Sequence, residues 1–123
     1  MLLAGGAFAF ACPTFYLEFL HVLRIELSRA LDKKVAIFAP FYPLSPESQL
    51  DDAASAINDA WKYLSHHPTV EQESLILAGE SAGGGLVCDL LCTIAKQGSP
   101  YAKVSQAVYA VSLHFLEDRL IVL

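Results

Sequence analysis

The sequence has little charge for its size. Of its 123 residues, 17% are Asp, Glu, Lys or Arg and 54% are hydrophobic, and the formal net charge is −5. The 8 Lys and Arg residues form no basic run or arginine-rich patch, so we expect no nucleic acid as a partner. A chain of this length fits one domain, and its apolar character is typical of a sheet covered on both faces.

Cysteine is too sparse for a disulfide framework. The three cysteines, Cys12, Cys88 and Cys92, are odd in number and include no Cys-x-x-Cys pair. We interpret them as small apolar residues in the interior. Further ligands near them are lacking, so we expect no metal site and no cofactor.

The sequence also lacks an apolar run long enough to cross a bilayer. The stretch from Met1 to Cys12 is apolar, but it has no basic n-region of the kind a secretory signal peptide needs. A glycine loop explains the stretch better. We therefore expect no integral membrane segment and a cytoplasmic location.

Extended and helical patterns alternate along the chain. A first helix is predicted from about Pro13, because apolar residues recur at helical spacing at Phe15, Phe19, Leu20, Leu23, Leu27 and Leu31. The second helix is predicted over 50–65, with its stripe at Ala53, Ile57, Ala60, Trp61 and Leu64. Strands are predicted at 1–3, 35–39, 75–78 and 104–113, and a third helix ends near Lys96. This alternation predicts a parallel sheet of about four strands with right-handed crossovers.

A Gly-x-Ser-x-Gly pentapeptide stands where the third strand turns into the third helix. It runs from Gly79 to Gly83 with Ser81 at its centre. In this context the motif predicts a nucleophile elbow, because a serine that attacks a carbonyl must project from a tight turn. The backbone amide of Ala82 would then face a developing oxyanion. Steric need alone also places small residues at such turns, whereas a phosphate loop would require Lys-Ser or Lys-Thr after the glycines.

Three motifs in order resemble the α/β-hydrolase-3 family, the hormone-sensitive-lipase-like branch of the α/β-hydrolases. The elbow reads Gly-Glu-Ser-Ala-Gly-Gly, similar to the family's Gly-Asp-Ser-Ala-Gly-Gly. The segment 42–47 reads Tyr-Pro-Leu-Ser-Pro-Glu and resembles Tyr-Arg-Leu-Ala-Pro-Glu, and 4–8 reads Ala-Gly-Gly-Ala-Phe and resembles the oxyanion loop His-Gly-Gly-Gly-Phe. The resemblance covers the chain to about Val111.

The resemblance implies a fold and a site. The fold is a three-layer α/β-hydrolase fragment with a mainly parallel central sheet. The expected order of the four strands across the sheet is second, first, third, fourth. Ser81 would be the catalytic nucleophile, held in an elbow by Gly79 and Gly83. The oxyanion hole would be formed by the backbone amides of Gly5, Gly6, Ala7 and Ala82.

The chain departs from the family pattern in its loops and after the elbow. Ala4 replaces the family's His, Ala7 its third Gly, and Pro43 its Arg. In the family the triad runs Ser, then Asp or Glu, then His. Here Asp89 lies on the elbow helix and His114 comes too early to be the base, so we assign neither an acid nor a base.

We therefore interpret residues 1–123 as a partial α/β-hydrolase domain that lacks a cap and the C-terminal triad region, with a divergent tail at 114–123. The resemblance implies a carboxylic-ester hydrolase that acts on a small-molecule ester through an acyl-enzyme on Ser81. The alternative is a catalytically inactive fragment or a degenerate relative. For this chain alone we expect inactivity, and the sequence specifies no oligomeric state.

Overall fold

The computed structural model describes residues 1–10, 12–70 and 75–96 and the backbone of the strand at 106–110. Within this part, three strands form a parallel sheet in chain order: β1 (Leu2–Leu3), β2 (Ile76–Glu80) and β3 (Gln106–Ala110). The sheet register places Leu3 opposite Gly79 and Glu80 opposite Ala110. The predicted parallel sheet with intervening helices is confirmed.

The predicted strand at 35–39 is not formed as a strand. The Phe38 carbonyl connects it to the sheet by accepting a hydrogen bond from the Leu2 amide at 2.9 Å. A single backbone hydrogen bond to β1, itself only two residues long, does not make a strand ladder. The segment nevertheless keeps its expected place beside β1, on the side away from β2.

The helices follow the predicted bounds closely. A short 3-10 helix (Pro13–Tyr16) leads into α1 (Leu17–Leu31), followed by α2 (Leu50–Ser65) and α3 (Ala82–Lys96). Helix α1 ends at Asp32, whose φ of 48° is left-handed. Within the described residues, no helix has the length and apolar character needed to cross a membrane.

The core lies between the sheet, α2 and α3. Helix α3 packs on β1 and β2, and α2 packs on α3. The largest fully buried side chains are Leu3, Ile57, Leu77 and Val87. The stripe predicted for α2 is confirmed at Ala53, Ile57 and Trp61, which are all buried.

The apolar positions at helical spacing in α1 do not form a core surface. Helix α1 has no buried residue, and Phe15 just before it is 80% exposed. Leu20, Leu23 and Leu27 are half-buried. Among the described residues, α1 contacts chiefly the 3-10 helix that precedes it, so its apolar spacing is not matched by a covering layer.

The cysteine interpretation is also wrong. Cys88 and Cys92 are exposed and Cys12 is half-buried. The reason lies in the orientation of α3, which buries Leu86, Leu90 and Ile94. Positions 88 and 92 lie on the opposite side of that helix.

Candidate active site

Ser81 occupies the turn between β2 and α3. Its φ is 50°, in the left-handed region that a residue with a side chain enters at a cost. The Ser81 carbonyl accepts the amide of Gly85 at 3.1 Å, so the turn leads directly into the helix. Such strain persists only where the surrounding structure fixes it, and it concentrates at functional sites.

Two glycines let three elements meet at this turn. A Cβ on Gly79 would overlap the Gly83 carbonyl and lie 2.7 Å from the Gly84 nitrogen. A Cβ on Gly83 would overlap the Leu3 carbonyl and lie 2.7 Å from the Ala4 oxygen. Both sets of obstacles are backbone atoms, which cannot move aside without moving a strand or the helix. Both positions therefore require glycine.

The glycine loop follows β1 directly. Gly6, Ala7 and Phe8 have φ values of 133°, 51° and 60°, and the Gly6 carbonyl accepts the amides of Ala9 and Phe10, each at 2.9 Å. The result is a tight turn. Ala7, which replaces the third glycine of the resembled motif, adopts the left-handed region at the cost of steric strain.

The loop and the elbow lie side by side. Because β1 and β2 are parallel neighbours, the turns that follow them leave the same edge of the sheet. The structure brings Gly5 against Glu80, the residue before Ser81: a Cβ on Gly5 would overlap the Glu80 carboxylate and lie 2.7 Å from the Glu80 carbonyl oxygen. Ala82, the first residue of α3, is buried beside them.

The signature segment at 42–47 supports the glycine loop. The buried Tyr42 hydroxyl donates to the Ala4 carbonyl at 2.7 Å, and the Ser45 amide donates to the Phe8 carbonyl at 2.8 Å. Burial, with smaller contributions from charge interactions with Tyr16 and Glu80, raises the pKa of Tyr42 to about 12. The signature thus fixes both ends of the loop.

Sequence reasoning missed a second support, between Tyr16 and Glu80. The Tyr16 hydroxyl donates to Glu80 Oε2 at 2.9 Å. Burial raises the pKa of Tyr16, and the Glu80 hydrogen bond and charge act in the same direction. Glu80 occupies a variable position of the pentapeptide, so the motif gives its location but not its role. No sequence pattern indicates Tyr16.

The histidines that the structure describes lie on elements other than the elbow. His21 is exposed on α1. His66 is at the C-terminal end of α2, where its Nδ1 lies 2.7 Å from the Lys62 carbonyl oxygen, and His67 follows it. That end of α2 leads to the start of β2, whereas Ser81 follows the other end of the strand.

The remaining titratable groups considered from the sequence provide no partner for Ser81 in the described part. Asp89 is exposed on α3. His114 and the tail at 114–123 lie outside the described residues. In the ranges that the structure covers, no group of three or more His, Cys, Asp or Glu side chains could hold a metal ion.

Comparison with known proteins identifies the fold. The α/β-hydrolase-3 family, described as an alpha/beta hydrolase fold, matches residues 1–119. A solved structure of a bacterial heroin esterase aligns with a TM-score of 0.69 and 19% identity, over 88% of this chain and 32% of that one. An esterase/lipase from an uncultured bacterium aligns with a TM-score of 0.64 and 26% identity, over 87% of this chain and 34% of that one.

The chain spans about a third of the length of these two solved structures. No curated protein matches it. The family match covers nearly the whole sequence, including the glycine loop, the signature segment and the elbow. The chain therefore belongs to the α/β-hydrolase-3 family and has the α/β-hydrolase fold.

Proposed function

We propose that the chain carries the nucleophile of a carboxylic-ester hydrolase. Ser81 would attack the carbonyl of a small-molecule ester and form an acyl-enzyme that water then hydrolyses. The observation that carries this proposal is the left-handed φ of Ser81, 50°, at a turn between a strand and a helix. Backbone strain concentrates at functional sites, and here it falls on the serine of a Gly-x-Ser-x-Gly turn.

The oxyanion of the tetrahedral intermediate would be bound by the amides of Gly5, Gly6, Ala7 and Ala82. Gly5 packs against the residue before Ser81, and Ala82 is the residue after it. Two sets of backbone donors, from adjacent turns, would thus serve the oxyanion. Donors held in place before the reaction stabilise the developing charge without reorganising.

We also propose that the 123 residues alone hydrolyse esters negligibly. A serine hydroxyl is a weak nucleophile until a base removes its proton. The described histidines, His21, His66 and His67, lie on α1 and at the end of α2, and Asp89 is exposed on α3. Loss of the base removes most of the rate of a triad and leaves only what oxyanion binding supplies.

Hydrolysis of short-chain aryl esters tests both proposals. Two proteins are compared: the chain as it stands, and the same chain extended by the C-terminal strands of the uncultured-bacterium esterase/lipase. We expect turnover only from the extended protein. Ser81→Ala should lower that turnover by at least about 1,000-fold, whereas Ser55→Ala, an exposed serine on α2, should leave it unchanged.

Two results would contradict the proposals. Turnover by the extended protein that survives Ser81→Ala would remove Ser81 from the mechanism. Robust, Ser81-dependent turnover by the 123-residue chain would show that a local group serves as the base, and His114 would then be the first histidine to replace.

A further inference from the structure

Tyr16 connects the first helical segment to the elbow. It is the last residue of the 3-10 helix, is half-buried, and donates its hydroxyl to Glu80 Oε2 at 2.9 Å. Glu80 immediately precedes Ser81. The hydrogen bond therefore joins two points 64 residues apart in the sequence, one of them adjacent to the proposed nucleophile.

The carboxylate that accepts this hydrogen bond lies against the glycine loop. The Glu80 carboxylate lies directly over Gly5, in space that a side chain at that position would fill. Tyr16, Glu80 and Gly5 thus form one connected group, which we call the Tyr16 bridge.

The position of the Glu80 carboxylate matters, because its negative charge repels the negative charge that would develop on a nearby oxyanion. This Coulomb repulsion strengthens as the surroundings become less aqueous. A charge-assisted hydrogen bond holds the carboxylate more tightly than a neutral one would. In this structure the donor is Tyr16, and it holds the carboxylate on the Gly5 side.

We propose that Tyr16 is a positioning residue for the ester hydrolysis proposed above, on which this inference rests. Its hydroxyl fixes the Glu80 carboxylate against Gly5 and thereby sets where the glycine loop stands relative to Ser81. The bridge does not touch the substrate. It acts through the backbone amides that would bind the oxyanion.

The first test reads the loop directly, in the 123-residue chain labelled with 15N-glycine. Amide hydrogen exchange is compared in the wild type, Tyr16→Phe and Tyr63→Phe. Tyr63 is the matched control, because it lies on α2, is 63% exposed and loses the same atom. We expect Tyr16→Phe to speed exchange at Gly5 by about tenfold, the effect of losing the one hydrogen bond that holds Glu80 against it, with no change at Gly79 in β2.

The second test reads the charge interaction, which a residue that only packs would not show. Ultraviolet titration of the wild type minus that of Tyr16→Phe isolates the ionisation of Tyr16. The groups that face its hydroxyl are Glu80 from β2 and Tyr42 from the signature segment. We expect a midpoint above the ordinary tyrosine value of 10.0, and we expect Glu80→Gln to lower it.

Three results would overturn the inference. Equal exchange at Gly5 in all three proteins would show that Tyr16 does not hold the loop, and equal acceleration at Gly5 and Gly79 would reduce its role to overall stability. If Glu80→Gln leaves the titration midpoint of Tyr16 unchanged, the two side chains do not interact and the Tyr16 bridge does not exist. Neither test requires catalysis, so failure of the ester-hydrolase proposal is recognised separately, by an extended protein whose turnover does not depend on Ser81.

Discussion

Helices α1 and α3 are each 15 residues long, yet every turn of α3 contains a buried residue and α1 contains none. The difference begins at their first turns. Helix α3 opens with small residues, and Gly83 lets its backbone touch the end of β1. Helix α1 presents large side chains such as Phe19 and Val22, and both are exposed. For α3, close approach of its backbone to the sheet, and not apolar spacing alone, brings the helix into the core.

The largest effect is expected from adding one methyl group at the elbow. Gly83→Ala places a Cβ into the Leu3 and Ala4 carbonyls, and we expect it to destabilise the chain by at least about 3 kcal/mol or to prevent folding. Gly85→Ala is the matched control, since its Cβ would meet only Phe8 Cζ at 3.9 Å. The control should change stability by less than about 1 kcal/mol, in the stabilising direction. Urea unfolding measures both, and equal effects would contradict the close-approach explanation.

A second pair of variants compares the two kinds of helix surface. Ile57→Ala in α2 removes a side chain that is 1% exposed, at an expected cost of about 2–5 kcal/mol. Leu31→Ala in α1 removes the same number of carbons from a residue that is 49% exposed, and should cost about 0.5 kcal/mol or less. Unfolding curves that show similar costs would mean that α1 is covered in solution.

Alkaline pH tests the support under the glycine loop. Because burial raises the pKa of Tyr42 to about 12, its contribution to stability is fully present below pH 10 and is lost as the pH rises towards 12. Tyr42→Phe should cost about 1–3 kcal/mol at neutral pH by leaving the Ala4 carbonyl without its donor. The variant should also lose less stability than the wild type between pH 10 and 12. Equal losses in the two proteins over this range would show that Tyr42 does not support the loop in this way.

The smallest effect concerns strain at Ser81. Glycine adopts a φ of 50° without steric cost, so Ser81→Gly should stabilise the chain by about 1 kcal/mol. Ser81→Ala keeps the Cβ and should give no such gain. Thermal unfolding of the two variants side by side provides the measurement, and equal stabilities would show that the turn is unstrained.

Patterns within short segments predicted most of the fold. Helix α2 was predicted at its observed bounds, because apolar residues such as Ile57 and Trp61 recur at helical spacing between clear breaks. The elbow could be located because Gly79 and Gly83 bracket Ser81 at a strand-to-helix transition.

The wrong predictions concern which surfaces pack against a helix. Phe15 and Leu31 share the spacing of buried residues, but spacing cannot indicate whether a second surface covers them. Cys88 and Cys92 were assigned to the interior although α3 turns its other side to the sheet. The Tyr16 bridge was missed for the same reason, since a hydrogen bond between residues 64 positions apart leaves no local pattern.

Covalent labelling by a fluorophosphonate tests the central claim, that Ser81 is the nucleophile, most directly. The extended protein is treated with the reagent, digested and mapped by mass spectrometry, with Ser81→Ala and the unextended chain in parallel. We predict a stoichiometric adduct on Ser81 in the extended protein, none in Ser81→Ala, and little in the 123-residue chain. An adduct on another residue, or an adduct that survives Ser81→Ala, would contradict the account.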